Sequence, residues 1–297
     1  MKTKTAHGGM RRSKLLSGTA TYLILGFCVV IVLIPILWMV STSIKIESET
    51  ITIPPRWIPE HPTAMSYMRL WKEYPFLTYF KNSIIISVGA VVVSVMFSCL
   101  AGYGVTRFRF KGKESFLGFI LMTQMFPSIM LLIPYYKVLD MYGLKDSLVG
   151  MMCVYISFTI PFCSWMMVGF FRTIPLELDE AAIIDGCSRW KAFYKITLPM
   201  TLPGISSSAI YAFITAWNEY MFAQVLIISP ELKTLPLGIA ELNGFYKILW
   251  NDLMAASVIA SSILGAASVI ASLPLIILFI FLQKYFISGL TAGAVKQ

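Results

Sequence analysis

The sequence predicts an all-α integral membrane protein with six transmembrane helices, and three observations carry that reading. Of the 297 residues, 57% are hydrophobic and only 13% charged, with a mean hydropathy of +0.75, which leaves too little polar surface to coat a water-soluble globule. Six stretches are almost free of charge: 15–44, 82–106, 115–136, 147–171, 196–230 (interrupted only by Glu219) and 253–283. Each is longer than the about 20 residues that cross roughly 30 Å of hydrocarbon. None alternates apolar and polar residues over any length, so a polar-lumen barrel is disfavoured and helices remain to satisfy the backbone in lipid.

Basic residues orient the chain, because Lys and Arg near span ends stay on the cytoplasmic side. With the N-terminus inside, the inner segments hold 15 Lys and Arg against 5 acids, and the outer loops hold 9 against 9. With the intramembrane Glu219 these counts give the net charge of +9, which is therefore topological and gives no nucleic-acid footprint.

The cytoplasmic N-terminus, 1–14, carries Lys2, Lys4, Arg11, Arg12 and Lys14 ahead of a first span at about 20–42. A secretory signal begins in the same way, but Tyr22 to Met39 exceeds a usual signal core and no small-x-small site precedes Lys45. Lys45 to Lys81 then holds Pro54, Pro55, Pro59, Pro62 and Pro75, so it is read as irregular structure with short helices. A second span at about 82–104 ends in the basic turn Thr106 to Lys113, read as a topological anchor. Spans at about 115–134, 148–170, 203–228 and 254–282 follow, with a cytoplasmic loop at 172–199 and a cytoplasmic tail at 284–297. Residues 15–297 form a single membrane domain with no evident repeat.

The loop at 172–199 is more elaborate than a connector. Pro175 suits the first turn of a helix through Glu177, Asp179, Glu180, Ala181 and Ala182; Gly186 interrupts it; Ser188 can N-cap a second helix that Pro199 stops or bends. Two small alanines beside a carboxylate fit a docking knob for another protein. An interfacial hairpin lying on the membrane accounts for the pattern equally well.

Glu180-Ala181-Ala182, three residues, Gly186, nine residues and Ile196-x-Leu198-Pro199 closely resemble the EAA loop of bacterial ATP-binding-cassette importer permeases. Phe171 to Pro199, Ala101-Gly102-Tyr103-Gly104 with Arg107 to Phe110, Gln124 to Pro127, Trp217 to Tyr220 and Gly289 to Lys296 are similar to the smaller membrane subunit of maltose-type carbohydrate importers. The resemblance covers most of the chain after residue 80. It implies a multi-pass protein of the bacterial inner (plasma) membrane with both termini cytoplasmic. Its expected partners are two ATPase subunits, a second related permease subunit, an extracytoplasmic sugar-binding protein and membrane lipid, with carbohydrate, in particular an oligosaccharide, as cargo.

Roles follow by resemblance. Glu180, Ala181, Ala182, Asp185 and Gly186 would form the coupling helix that docks on an ATPase. Gly289, Thr291, Gly293 and Lys296 would reach between the ATPase subunits, the alternative being a frayed terminus. Asn243, Gly244, Phe245 and Tyr246 would meet the receptor, unless Tyr246 and Trp250 simply form an aromatic interface belt. Trp217, Asn218 and Glu219 offer an aromatic face, an amide and a carboxylate suited to a sugar, or alternatively an inter-helix hydrogen bond.

No G-x-x-x-x-G-K-[ST] occurs, so ATP and Mg belong on partner subunits, this chain binds no cofactor, and it is not an enzyme. A self-contained secondary transporter would show repeated halves and discontinuous helices, neither visible in the sequence. A membrane enzyme would show paired acids or a catalytic motif, whereas Glu219 stands alone within the spans. The five cysteines contain no C-x-x-C pair, and His7 and His61 read as isolated loop residues, so no metal site is expected.

Overall fold

The computed structural model describes residues 6–242, 248–267, 269–270, 277 and 280. Among these the structure is helical and contains no strand. Two compact units emerge, residues 1–73 with 242–259 and residues 74–241 with 260–297.

The first unit begins with α1 (Ala6–Ser43), an apolar helix in which residues 21–37 are all exposed. A 3₁₀ turn (Glu47–Glu49) and α2 (Met65–Lys72) follow. The proline-rich stretch between them is organised by Lys45, which is 1% exposed, donates to the Arg56 carbonyl at 2.6 Å and lies 4.1 Å above the Trp38 ring. Trp57 meets Trp38 edge-on at 5.0 Å. Tyr67 on α2 shares a hydrogen bond with Ser43 (2.8 Å), and Arg69 pairs at 3.0 Å with the fully buried Asp252.

The second unit is built on α3 (Phe76–Arg107), which packs along its length against a later helix. After α3 the chain turns at Gly112 into α4 (Lys113–Met122), and α5 (Leu132–Met141) follows. The sequence reading placed one continuous span at 115–134; instead the α4 and α5 pieces bend by 94° around Phe126-Pro127. Pro127 supplies no N–H and forces Phe126 into extended backbone (ψ 128°), so the helix breaks there and resumes through the 3₁₀ turn Ser128–Leu131. A discontinuous helix is thus present where the sequence showed none.

The long partner of α3 is α6 (Leu148–Arg172), started by Ser147, whose hydroxyl accepts the Gly150 N–H at 3.0 Å. Small and hydroxylated residues line the seam. Ser94 bonds Thr159 at 2.6 Å, Ser98 bonds Ser164 at 3.3 Å, and Gly102 lets α3 approach Met167 and Phe171 so closely that a Cβ there would lie 2.8 Å from the Phe171 ring. Such residues serve where apolar solvent outside gives helices little reason to associate, because close backbone approach and internal hydrogen bonds then do the holding.

Beyond α6 come α7 (Leu176–Ile184), α8 (Arg189–Ala192), a π turn (Phe193–Thr197) and α9 (Leu198–Met200). They lead to α10 (Leu202–Trp217), which packs on α3 and α6. α11 (Met221–Leu226), α12 (Leu235–Glu241) and α13 (250–267) complete the described helices. At the end of this unit opposite Arg107, Asn82 donates to the Glu231 and Lys233 carbonyls (2.8 and 3.0 Å), and Ser83 accepts the Leu235 N–H (2.7 Å). The segment after α11 is thereby fastened to α3. One core gathers Ile86, Met151, Tyr155, Phe222 and Leu226; a second, nearer Arg107, gathers Tyr103, Met167, Phe171 and Phe193.

Candidate functional site

The loop after α6 forms the helix–glycine–helix unit that its residues predict. Pro175 occupies the N-cap of α7, Glu177 and Asp179 lie in the first turn, Gly186 has φ +83° and Ser188 caps α8 by accepting the Lys191 N–H at 3.2 Å. Only glycine adopts that φ without steric cost, which is why the chain can reverse there. Glu180, Ala181, Asp185 and Gly186 are exposed, whereas Ala182 is turned inward at 4% exposure. The alanine pair is therefore divided between an outer face and a packed one. Ile183 and Ile184, 43% and 85% exposed, add apolar surface that the sequence reading did not single out.

What holds α7 in place is a residue the sequence reading took only as one of the acids near the start of the helix. Asp179 is 4% exposed, and its carboxylate receives Arg107 Nε at 2.5 Å and the Thr197 hydroxyl from the π turn. Arg107, taken from sequence as a topological anchor, has a side chain only 8% exposed, and its other nitrogens donate to the Phe171 carbonyl (3.3 Å) at the end of α6 and the Ile174 carbonyl (3.0 Å) just after it. Aromatic rings close over this cluster: Tyr103 contacts Phe108, Phe171 and Phe193, with centroid separations from 4.6 to 6.2 Å. A sequence signal existed in the basic Arg107 and the acidic run of α7, but 72 residues separate the partners.

The second candidate group lies where α10 stops. Trp217 is 2% exposed, stacked on Phe213 at 5.4 Å and meeting Phe80 edge-on at 6.0 Å, so its ring faces are occupied by the chain itself. Asn218 is exposed and ends α10, its N–H reaching the Ile214 carbonyl at 3.1 Å. Glu219 is half-buried. Its carboxylate accepts the Phe222 and Ala223 N–H groups of α11 (2.8 and 3.2 Å) and the Tyr155 hydroxyl (2.9 Å). A negative charge beside the first turn of α11 satisfies donors that have no helical partner, and it is how an acid within an apolar stretch finds company. The three residues adjoin in space but play different parts, and of the three Asn218 alone is exposed.

Asn243, Gly244, Phe245 and Tyr246, and the tail residues Gly289, Thr291, Gly293 and Lys296, lie outside the described residues. His61, isolated in the sequence, approaches Glu49 and Glu60, with ligand atoms within 4.8 Å of one another. Glu60 is already paired with Arg56, and Glu49 accepts the His61 backbone N–H at 3.1 Å.

Residues 94–292 match the family described as "Binding-protein-dependent transport system inner membrane component". The chain is 36% identical to the trehalose/maltose transport system permease protein of Thermococcus litoralis over 90% of its own length and 92% of the relative's. It is 34% identical to the diacetylchitobiose uptake system permease protein of Streptomyces coelicolor, covering 88% and 91%, and 32% identical to the sulfoquinovosyl glycerol transport system permease protein of Agrobacterium fabrum, covering 89% of each. Among solved structures, a bacterial ABC transporter involved in import of the acidic polysaccharide alginate superposes with a TM-score of 0.70 at 25% identity, covering 93% of this chain and 98% of that one.

Proposed function

Because the chain belongs to the family of binding-protein-dependent transport system inner membrane components, we propose that it is the permease subunit of an ATP-binding-cassette importer for carbohydrate. It is a translocation subunit of the membrane and not an ATPase. The observation that carries the reading is α7, whose outer face presents Glu180, Ala181, Ile183 and Ile184 while its inner face is fixed by Asp179 and Ala182. A helix exposed on one side and anchored on the other suits docking to a moving partner. We assign that partner as an ATPase subunit, one of two, in which ATP and Mg are bound and hydrolysed.

The remaining assignments follow from the same reading. Six spans, cytoplasmic termini and the EAA loop at 172–199 fit the distribution of Lys and Arg. Glu180 pairs with a cation of the ATPase, Gly186 permits the reversal into α8, and Asp185 adds an exposed acid to the contact. Gly289, Thr291, Gly293 and Lys296 contact the ATPase pair, while Asn243 to Tyr246 meet an extracytoplasmic receptor. A second, related permease completes the pathway. Relatives named for trehalose and maltose, for diacetylchitobiose and for sulfoquinovosyl glycerol support an oligosaccharide or other glycoside as cargo. Exposed Asn218, beside Glu219, is the group of the Trp217–Glu219 set best placed to meet it.

Affinity purification of the chain from its native membrane, with mass spectrometry and an ATPase assay, tests the proposal. Recovery of an ATPase and a second permease is expected, and Glu180→Lys should abolish ATPase recovery without reducing the amount of inserted chain. An unaltered yield of ATPase with Glu180→Lys would sink the docking assignment.

A further inference from the structure

We propose that Arg107 and Asp179 form the joint that makes α7 move as one body with the ends of α3 and α6. The proposal rests on the docking of α7 just described and names the residues that carry its displacement into the membrane helices. Five segments meet at this one point. Arg107 is the last residue of α3 and reaches Asp179 on α7 at 2.5 Å, Phe171 at the end of α6 at 3.3 Å, and Ile174 in the link to α7 at 3.0 Å. The other oxygen of Asp179 takes the Thr197 hydroxyl, so the return segment toward α10 is tied to the same carboxylate.

The pair is nearly sealed from solvent, with 8% and 6% side-chain exposure. Burial of this kind is poor evidence for stability, since apolar residues of like volume commonly pack as well or better. What an ion pair supplies here is direction. A guanidinium is a planar fork whose donors point along fixed lines, and three of them are used on three different acceptors. A lysine in its place is a single point charge on a flexible stem and cannot hold all three at once. Glu180, next along α7, is exposed, so adjacent acids divide the work: one faces outward to the partner and one faces inward to the joint.

The test uses the full complex purified from native membranes and reconstituted in lipid nanodiscs. Spin-labelled unnatural amino acids replace Leu100 on α3 and Glu177 on α7, both exposed, and their separation is measured without nucleotide and after trapping with ATP and vanadate. The unsubstituted joint should give one distance, unchanged by trapping. Arg107→Lys, and the apolar pair Arg107→Met with Asp179→Leu, should still co-purify with ATPase but show the distance changing by about 2 Å or more, the scale of helix shifts in switching proteins. The apolar pair guards against mere loss of fold, because it leaves no buried charge behind. Variants that hold the original distance through trapping overturn the proposal, as does an unsubstituted complex whose distance itself changes. A chain recovered without any ATPase overturns the docking assignment as well, and co-purification reports that before any distance is taken.

Discussion

Asp146 stands just before α6, and its removal is a perturbation whose size the structure allows to be worked out. It is the described non-glycine residue with positive φ, at +51°. Its Oδ1 accepts the Ile228 and Ser229 N–H groups at 2.8 and 3.0 Å, and its Oδ2 accepts the Ser229 hydroxyl at 2.5 Å. Three bonds to one carboxylate thus tie the entry of α6 to the segment leaving α11. Hydrogen bonds to a charged acceptor contribute about 1.5–3 kcal/mol each when buried, and partial exposure reduces the set to roughly 1–2 kcal/mol in all. Alanine would also have to adopt a left-handed conformation at a cost of about 1 kcal/mol. Asp146→Ala should therefore lose about 2–3 kcal/mol, and melting of the purified chain in detergent should fall by at least roughly 4 °C. Asp146→Asn keeps an acceptor for the backbone pair and tolerates the φ, so its loss should be smaller. The Ser229 hydroxyl, followed by the Ser229 and Ile228 backbone groups, holds the Asp146 carboxyl below its usual 3.8. A depressed value means that the stabilisation is fully present above the unfolded value and is lost as pH falls through the folded one. The melting temperature should consequently drop below about pH 4 in the natural chain by more than in Asp146→Asn. Equal melting of Asp146→Ala and the natural chain, or identical acid profiles for the asparagine variant, would refute the reasoning.

Three further outcomes are expected. Gly102→Leu should destabilise the chain by about 1–3 kcal/mol, because its Cβ would sit 2.8 Å from the Phe171 ring and 3.0 Å from Met167 Cβ; an unshifted melt would show that α3 and α6 can separate freely there. Tyr155→Phe removes one of three donors to Glu219 and should cost about 1 kcal/mol, whereas Glu219→Ala removes the acceptor for all three; a double-mutant cycle in melting should return a coupling energy, and strict additivity would dismiss the bond. Arg69→Leu strands the fully buried Asp252 and should cost about 3–5 kcal/mol, most of it recovered on adding Asp252→Leu; failure of that second change to recover stability would mean that the pair does not act as a unit.

Much of the candidate site could be read locally. Pro175, Gly186 and Ser188 each act within a few residues of where they stand, as an N-cap, a left-handed turn and a cap for Lys191, and so their residue types announced the structure. The long apolar helices were equally legible, because composition alone separates Phe76–Arg107 and Leu148–Arg172 from their surroundings. What the sequence hid depends on distant partners. Arg107 looked like its neighbours Arg109 and Lys111, and only packing distinguishes the buried cation from the exposed ones. The inward turn of Ala182, the ring partners of Trp217 and the company of Glu219 are hidden for the same reason. The 94° bend was missed: Pro127 lay inside the stretch read as one span, because hydropathy alone does not register where an apolar run breaks or turns.

The π turn at Phe193–Thr197 constrains the length of the chain itself. Such a turn accommodates one residue more than regular α-helix, and each residue turns a helix by about 100°. Losing one residue between Ser188 and Leu202 would therefore withdraw Thr197 from Asp179 and swing the aromatic side of α10, with Phe213 and Trp217, away from Phe80. Insertions and deletions in natural variants should consequently avoid 188–202.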